Sequence, residues 1–282
     1  MKLHITYDHP IPINAFQWTP ATYPQPPHVH TSLEIGLCLS GKGWFSFGNK
    51  RYAADIGDLF LVNNEERHIA MSDTNDPSRY LFLNFDASLL LAEDPALLLP
   101  FSYRSTRFCN HIPGGSTLAE QLAPWMHAVA RELNEQKPGY LAMAKSGLVQ
   151  LCGHLLRHYS ELLSEDMRQS IVQTARHVQL LTDAVEHRFR EPITLQQLAD
   201  ELGLSISRIS RAFLETTGYR FSDYLSLLRV QAAKRELAGT DKTIAHIAFE
   251  CGFQSLPTFY RVFKTYAGMS PAAYRLSLGA SV

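Results

Sequence analysis

The last third of the chain repeats itself. LADELGL at residues 198–204 returns as IAFECGF at 247–253, and ISRAFLETTG at 209–218 returns as FYRVFKTYAG at 259–268. Tyr224 returns as Tyr274 at the same displacement of about 50 residues. One residue is inserted between the halves of the second copy. A repeat of this length constrains the fold more than any other feature, because each copy must be one supersecondary unit. Each copy reads as helix, tight turn, helix. Thr194 and Gln197 make a capping-box pattern, and Leu195, Leu198, Ala199 and Leu202 supply an inner face. Gly203 makes a turn that a Cβ would crowd. Ser205 is placed to cap the second helix, and Gly218 to end it. In the second copy Thr243 and Ser255 cap, while Ile244, Ile247 and Ala248 pack. Gly252 turns, Pro257 sits in a first turn and Gly268 closes. A helix over about 221–238, with Leu225, Leu228, Ala232 and Leu237 inward, joins the copies.

This is helix-turn-helix grammar. The second helix of such a unit can lie in a DNA major groove with its N-terminal residues on base edges. The first copy offers Ser207, Arg208, Ser210 and Arg211 there. The second offers Ser255, Thr258, Tyr260, Arg261 and Lys264. Arginine suits bidentate contact with guanine and lysine suits phosphate. Ile209, Phe213, Phe259 and Phe263 read as core. One copy alone is equally well an ordinary helical hairpin with solvated charges. Duplication and charge argue for DNA. The chain is 282 residues long with a net charge of −1, but residues 205–282 carry ten Lys+Arg against five Asp+Glu. Two tandem units can reach major-groove faces about 34 Å apart.

The segment IAFECGFQSLPTFYRVFKTYAGMSPAAYR resembles the signature of the AraC/XylS family of bacterial transcription regulators. The matching residues are Ile247-Ala248, Gly252-Phe253, Phe259, Arg261 to Lys264, Gly268, Ser270-Pro271 and Tyr274-Arg275. Upstream, Arg229, Ala233 and Leu237 look like the family's connecting helix. The resemblance covers about residues 175–278 and implies promoter-bound regulation, usually activation. Double-stranded operator DNA, RNA polymerase and a second copy of the chain are the partners it implies. Leu256-Pro257 departs from the polar residues common there, so the first unit is expected to carry more of the base readout.

The first 85 residues read as β. LEIGLCL is followed by a Gly-Lys-Gly turn, GWFSFG and KRYAAD flank Gly48-Asn49, and LFLV and RYLFLNFD follow further polar loops. Short strands between turn signals suggest a sandwich or barrel. After about residue 86 the period becomes helical. Leu118, Leu122, Trp125, Met126, Val129 and Leu133 share one face, and Pro138-Gly139 ends that helix. A second helix over about 140–163 has Leu148, Cys152, Leu155, Tyr159 and Leu162 as a seam. It packs on its own domain or on a second copy. The polar stretch 160–170 reads as a linker. The expected class is α+β in two domains: a cupin-like β-barrel (jelly roll) with a helical hairpin over 1–165, and an all-α tandem helix-turn-helix over 166–282.

Residues 28–41 read H-x-H-x3-E-x6-G. On a strand His28, His30 and Glu34 share parity, and the run after Gly57 brings His68 to a neighbouring edge. This pattern resembles a cupin, a domain that sugar-sensing AraC-family members carry at the N-terminus. Asn63 and Glu65 depart from the second half of the pattern. The cupin resemblance implies His28, His30, Glu34 and His68 as ligands of a divalent transition metal, with Zn, Ni, Fe and Mn all suited. A metal-free polar pocket and a purely structural role are the other readings of the same four residues. A barrel interior can hold one small ligand, such as a sugar. Trp18, Tyr80 and Phe82 are candidate lining beside the histidines, and Tyr80 and Phe82 equally read as plain core. The proline-rich start cannot stay regular for long, and by resemblance residues 1–15 are an arm over the effector.

Three functions compete: a ligand-responsive regulator, a cupin-type enzyme, and a constitutive DNA-binding protein whose β domain only dimerises. The tandem helices argue against the enzyme, and no GxSxG, P-loop or dinucleotide fingerprint is present. The filled His/Glu set argues against the third. No secretory signal is legible, no apolar stretch approaches about 18 residues, and four scattered cysteines suggest reduced thiols. The chain is therefore expected in the cytoplasm, away from membranes.

Overall fold

Alternating apolar residues in the first 85 positions become two facing sheets. The computed structural model describes residues 2–3, 5–102 and 109–279. The strands are β1 (Lys2–Leu3), β2 (Ile13–Trp18), β3 (Val29–His30), β4 (Leu33–Ser40), β5 (Gly43–Phe47), β6 (Lys50–Ala54), β7 (Leu59–Val62), β8 (His68–Ser72), β9 (Arg79–Phe85) and β10 (His111–Ile112). One sheet has the order β10-β7-β4-β9-β2 and the other β6-β5-β8. β1 pairs in parallel with β3. The β5–β6 hairpin turns at Gly48, as its sequence implies, with φ +54°. β2 fits between Pro12 and Pro20 as the edge of its sheet, where prolines at strand ends cost no ladder bond.

The inward faces of the two sheets meet in an aromatic core of Phe45, Phe47, Phe60, Tyr80 and Phe82, with Cys38, Val62 and Ala70. Phe45 stacks on Phe47 and on Phe60, each at 4.7 Å between centroids. Gly36 is small because the Phe82 ring lies over it: a Cβ there would be 2.5 Å from the ring. The other face of the larger sheet, with Leu33, Ile35 and Leu37 buried, is covered by helix.

Two short helices, α1 (Ser88–Leu91) and α2 (Leu99–Ser102), lead to a helical hairpin of α3 (Thr117–Glu135) and α4 (Tyr140–Glu161). Ser116 caps α3 by accepting from the Ala119 amide. α3 lies against β2 and β9, and α4 lies against α3. The seam residues Leu148, Cys152, Leu155 and Tyr159 are buried within this unit. That seam is therefore spent inside the chain, and only Leu162 projects from it, 66% exposed.

α5 (Glu165–Arg188) begins inside the stretch read as a linker, which is helical except at 162–164. The chain divides into two compact units, Met1–Gln179 with Glu215–Gly218, and Leu180–Leu214 with Tyr219–Val282. Next along the chain come α6 (Leu195–Glu201), α7 (Ile206–Thr217), α8 (Phe221–Gly239), α9 (Ile244–Glu250), α10 (Leu256–Ala267) and α11 (Pro271–Gly279), all in the second unit except the last three residues of α7. Arg229 of α8 donates to the carbonyl oxygens of Phe189 at 2.7 Å and Glu191 at 2.8 Å, which ties α8 to the end of α5. The sequence repeat is also a repeat of contacts. Phe213 and Tyr224 have ring centroids 5.4 Å apart, and their counterparts Phe263 and Tyr274 are 5.7 Å apart. Among the described residues, no helix is long and apolar enough to cross a membrane.

Candidate functional site

Three histidines meet at one end of the aromatic core. His28 pairs antiparallel with His68: each amide donates to the other's carbonyl, at 3.1 and 3.0 Å. Strand alternation puts His30 on the same face as His28. The ring centroids are 4.5 Å apart for His28–His68 and 4.8 Å for His30–His68. One ring nitrogen from each of the three lies within 4.8 Å of the others. The parity argument from sequence is thus met for all three.

Glu34 takes a different place. On β4 it faces Asn84 of β9, whose Nδ2 donates to Glu34 Oε2 at 2.7 Å. The same oxygen is 3.5 Å from His30 Nε2. Glu34 does not belong to the mutually close set of donors formed by the three histidines. Sequence parity brings it to the right face, but the register to β9 gives its carboxylate to Asn84.

The ring orientations are fixed by backbone. His30 Nδ1 lies 2.9 Å from the Ser32 carbonyl and His68 Nδ1 lies 2.9 Å from the Glu66 carbonyl. A carbonyl only accepts, so each contact is a hydrogen bond in the tautomer that carries its proton on Nδ1; Ser32 Oγ is a second neighbour of His30 Nδ1, at 3.0 Å. The Nε2 atoms of His30 and His68 are buried and have no hydrogen-bond partner. Burial pushes His68 down to about 4, and burial followed by the neighbouring His30 also lowers His28. Burial pulls His30 down as well, but the Glu34 carboxylate, 3.5 Å from its Nε2, outweighs it and holds His30 above its ordinary value. Burial opposes the charge of Glu34, yet His30, His68 and Asn84 outweigh it and hold the carboxyl low.

The expected aromatic lining divides. Tyr80 and Phe82 are 0% and 3% exposed and belong to the packed core, so neither forms an open wall. Trp18 is 42% exposed, and its ring lies tilted against Phe82 with centroids 6.0 Å apart. Phe16, opposite Phe82 in the β2–β9 register, is 43% exposed and lies likewise at 5.7 Å. Sequence reasoning missed Phe16. Its signal was the period-2 step to Trp18 between two prolines. Of the segment read as an arm, 13–15 belong to β2 with Ile13 buried, and β1 lies beside His30. Met1 and His4 of that segment lie outside the described residues.

In the second unit the two candidate recognition helices carry their polar residues outward. Ser207, Arg208, Ser210 and Arg211 of α7 are exposed, over buried Ile209 and Phe213. Thr258, Tyr260, Arg261 and Lys264 of α10 are exposed, over buried Phe259, Val262 and Phe263. Ser255 is occupied as the cap of α10: its Oγ accepts from the Thr258 amide and donates to Thr258 Oγ1 at 2.9 Å. The local grammar is reproduced. Thr194 and Gln197 form a reciprocal capping box and Thr243 caps α9. Gly203 turns with φ +67°, yet a Cβ there would meet nothing within 4 Å. The need for glycine at 203 is therefore conformational, and crowding plays no part.

Residues 12–152 match the model of the AraC-like ligand binding domain, and residues 198–277 match that of a helix-turn-helix domain. An uncharacterised HTH-type transcriptional regulator of Staphylococcus aureus is 26% identical over 244 residues, 86% of this chain. The chain spans only 31% of that relative's length. The HTH-type transcriptional activator RhaR of Klebsiella pneumoniae is 27% identical over 248 residues, covering 88% of this chain and 86% of RhaR. A solved transcriptional regulator with an AraC-type DNA-binding domain, from Chromobacterium violaceum, is 26% identical. It covers 36% of this chain and 91% of its own, with a TM-score of 0.35. The AraC-like domain accounts for half of the chain and the helix-turn-helix domain follows it, so the chain belongs to the AraC family.

Proposed function

We propose that the chain is a sequence-specific DNA-binding transcription regulator whose β domain holds a small-molecule effector. The observation that carries this reading is the pair of amphipathic helices α7 and α10. Each has a buried apolar side, Ile209 and Phe213 on α7 and Phe259 and Phe263 on α10, and an exposed side that carries arginine and hydroxyl groups, with Lys264 added on α10. A solvated surface helix needs charges but has no need of the same cationic face twice, fifty residues apart. Arg208, Ser207, Ser210 and Arg211 read bases in the first half-site, and Arg261, Thr258, Tyr260 and Lys264 engage the second. Ser255 serves the second through its cap. Functionally the chain divides as 1–165 for the effector and self-association, and 166–282 for DNA.

The effector is sugar-like. Its polar partners are His28, His30, Glu34 and His68, and its apolar face rests on Trp18, which leans on Phe82, itself stacked on Tyr80. Occupation alters how the two DNA-reading helices are presented, a coupling that needs only about 1–3 kcal/mol. The protein acts in the cytoplasm as a homodimer and recruits RNA polymerase. Its relatives are transcription regulators and not enzymes, and it performs no catalysis.

Selection of bound fragments from random duplex DNA by the full chain tests this. A consensus with two half-sites about one helical turn apart is expected. Recovery of no consensus, with binding equal on all duplexes, overturns the reading. Thermal shift of the full chain against a panel of sugars and sugar acids tests the effector class.

A further inference from the structure

We propose that the effector enters the β domain as a hydrogen-bond donor: an uncharged polyhydroxyl compound, a neutral sugar or sugar alcohol, whose hydroxyls donate to His68 Nε2 and Asn84 Oδ1. Carboxylated and phosphorylated sugars are refused. The inference rests on the effector reading of the β domain and is independent of DNA recognition.

Asn84 sets the direction of the bonds. It is 1% exposed, and on β9 it stands directly opposite Glu34 of β4. An ionised carboxylate only accepts, so the Asn84 atom 2.7 Å from Glu34 Oε2 is its amide nitrogen. That nitrogen is also 3.4 Å from Ser32 Oγ. What remains of the amide is Oδ1, an acceptor, buried with no hydrogen-bond partner.

His68 ends in the same way. It is 2% exposed, and its Nδ1 meets the Glu66 carbonyl oxygen at 2.9 Å. In the tautomer that makes this a hydrogen bond, Nε2 carries a lone pair. That atom too is buried without a hydrogen-bond partner. The two residues belong to one polar layer. Asn84 touches Glu34, Glu34 Oε2 is 3.5 Å from His30 Nε2, and the His30 and His68 rings are 4.8 Å apart. Buried polar atoms almost always have partners, so two orphaned acceptors in one layer call for a ligand that brings donors.

Charge excludes the acids. The carboxylate of Glu34 is already met by Asn84 and His30. Lys50, whose ammonium stands 6.0 Å from the centre of the Phe47 ring, is committed to Glu66 at 2.8 Å and to Asn110. An incoming carboxylate or phosphate would bring an unpaired charge beside Glu34, and burial makes such a charge costly. It would also set acceptors against acceptors. A hydroxyl brings a proton and no charge. The carbon face of the same molecule has its own support, because Phe82 shares a face of β9 with Asn84 and carries exposed Trp18 against it.

Thermal shift and calorimetric titration of the full chain, in buffer containing EDTA, test this. The probes are D-glucose, D-galactose, L-arabinose and sorbitol, set against gluconate, galacturonate and glucose 6-phosphate. A neutral probe should bind at least about tenfold more tightly than any charged one. Asn84→Ser keeps a hydroxyl that can donate to Glu34 but loses the amide oxygen, and His68→Phe keeps a ring without the acceptor. Each should weaken the bound neutral probe by about tenfold or more. Monodeoxy analogues of that probe should show losses of similar size at two positions, because a buried acceptor is then left without its donor. These analogues decide the matter if a variant, checked by circular dichroism, fails to fold. Neutral binding that disappears in EDTA overturns the proposal, and so do unchanged affinities across both variants and all deoxy analogues. Binding by the charged probes alone overturns it and leaves the effector reading standing. No shift with any probe overturns both, while selection on random duplex DNA still reads the DNA assignment separately.

Discussion

Gly252 stands against the end of α5 so closely that a Cβ on it would lie 2.8 Å from the carbonyl oxygen of Phe189. Its φ is +89°. The turn between α9 and α10 is thus pressed onto the backbone that Arg229 also holds. Gly203, its counterpart between α6 and α7, shares the positive φ but faces open space. The two glycines separate conformational cost from steric cost. Gly203→Ala should lose about 1–2 kcal/mol, the cost of left-handed backbone. Gly252→Ala should lose distinctly more, because the clash is with backbone that cannot rotate away. Urea denaturation of both variants, followed by helical circular dichroism, checks this. Equal losses would sink it.

What the sequence disclosed was what local chemistry decides. The caps Thr194, Thr243 and Ser255 and the glycines at 203, 218, 252 and 268 act within a few residues, so their spacing names the turns directly. The convergence of His28, His30 and His68 was legible through strand parity and one turn. What stayed hidden depends on register and on partners. Glu34 was placed with the histidines because parity cannot show that Asn84 of β9 stands opposite it. The seam of α4 could face a second copy or α3, and only packing decides. Tyr80 and Phe82 alternate correctly for a pocket wall, yet Phe45 and Phe60 fill the space they face. The strand at 13–18 was masked by prolines that turn out to bracket it.

Thr243 accepts from the His246 amide at the start of α9. α9 is only 7 residues long. A lost cap leaves an orphan donor on a helix with little else to hold its first turn. Thr243→Ala should cost about 1 kcal/mol, and Thr243→Ser should cost almost nothing. Thermal unfolding of the two variants beside the wild type decides it, and an alanine variant as stable as the serine one would refute the assignment.

The four cysteines are free, and three of them are buried. Burial pushes Cys38 up to about 12 and Cys251 up to about 11, and burial alone raises Cys152 further. A thiol reacts as its thiolate, so these three should be inert in the native protein. Cys109 is exposed. Iodoacetamide at neutral pH should therefore add one group per native chain and four after denaturation. Intact mass spectrometry reads the count, and modification of Cys38 or Cys152 at the rate of Cys109 would contradict the packing.

Arg208 and Lys264 are both exposed on the outer sides of α7 and α10, yet they should fail differently when removed. Arg208 lies in the first turn of α7, where a recognition helix meets base edges. Arg208→Ala should cost about 1–3 kcal/mol on the consensus duplex and relax one base position. Lys264 lies in the last turn of α10, beyond the residues that reach bases, and there its ammonium can meet only phosphate. Lys264→Gln should weaken every duplex alike and lower the slope of log affinity against log salt by about 1, because one fewer counterion is released. Binding titrations at several salt concentrations, on the consensus and on its single-base variants, distinguish the two. If Arg208→Ala weakens all duplexes equally, α7 lies on the backbone and its arginine reads no base. If Lys264→Gln changes base preference, α10 enters the groove more deeply than its cap at Ser255 implies.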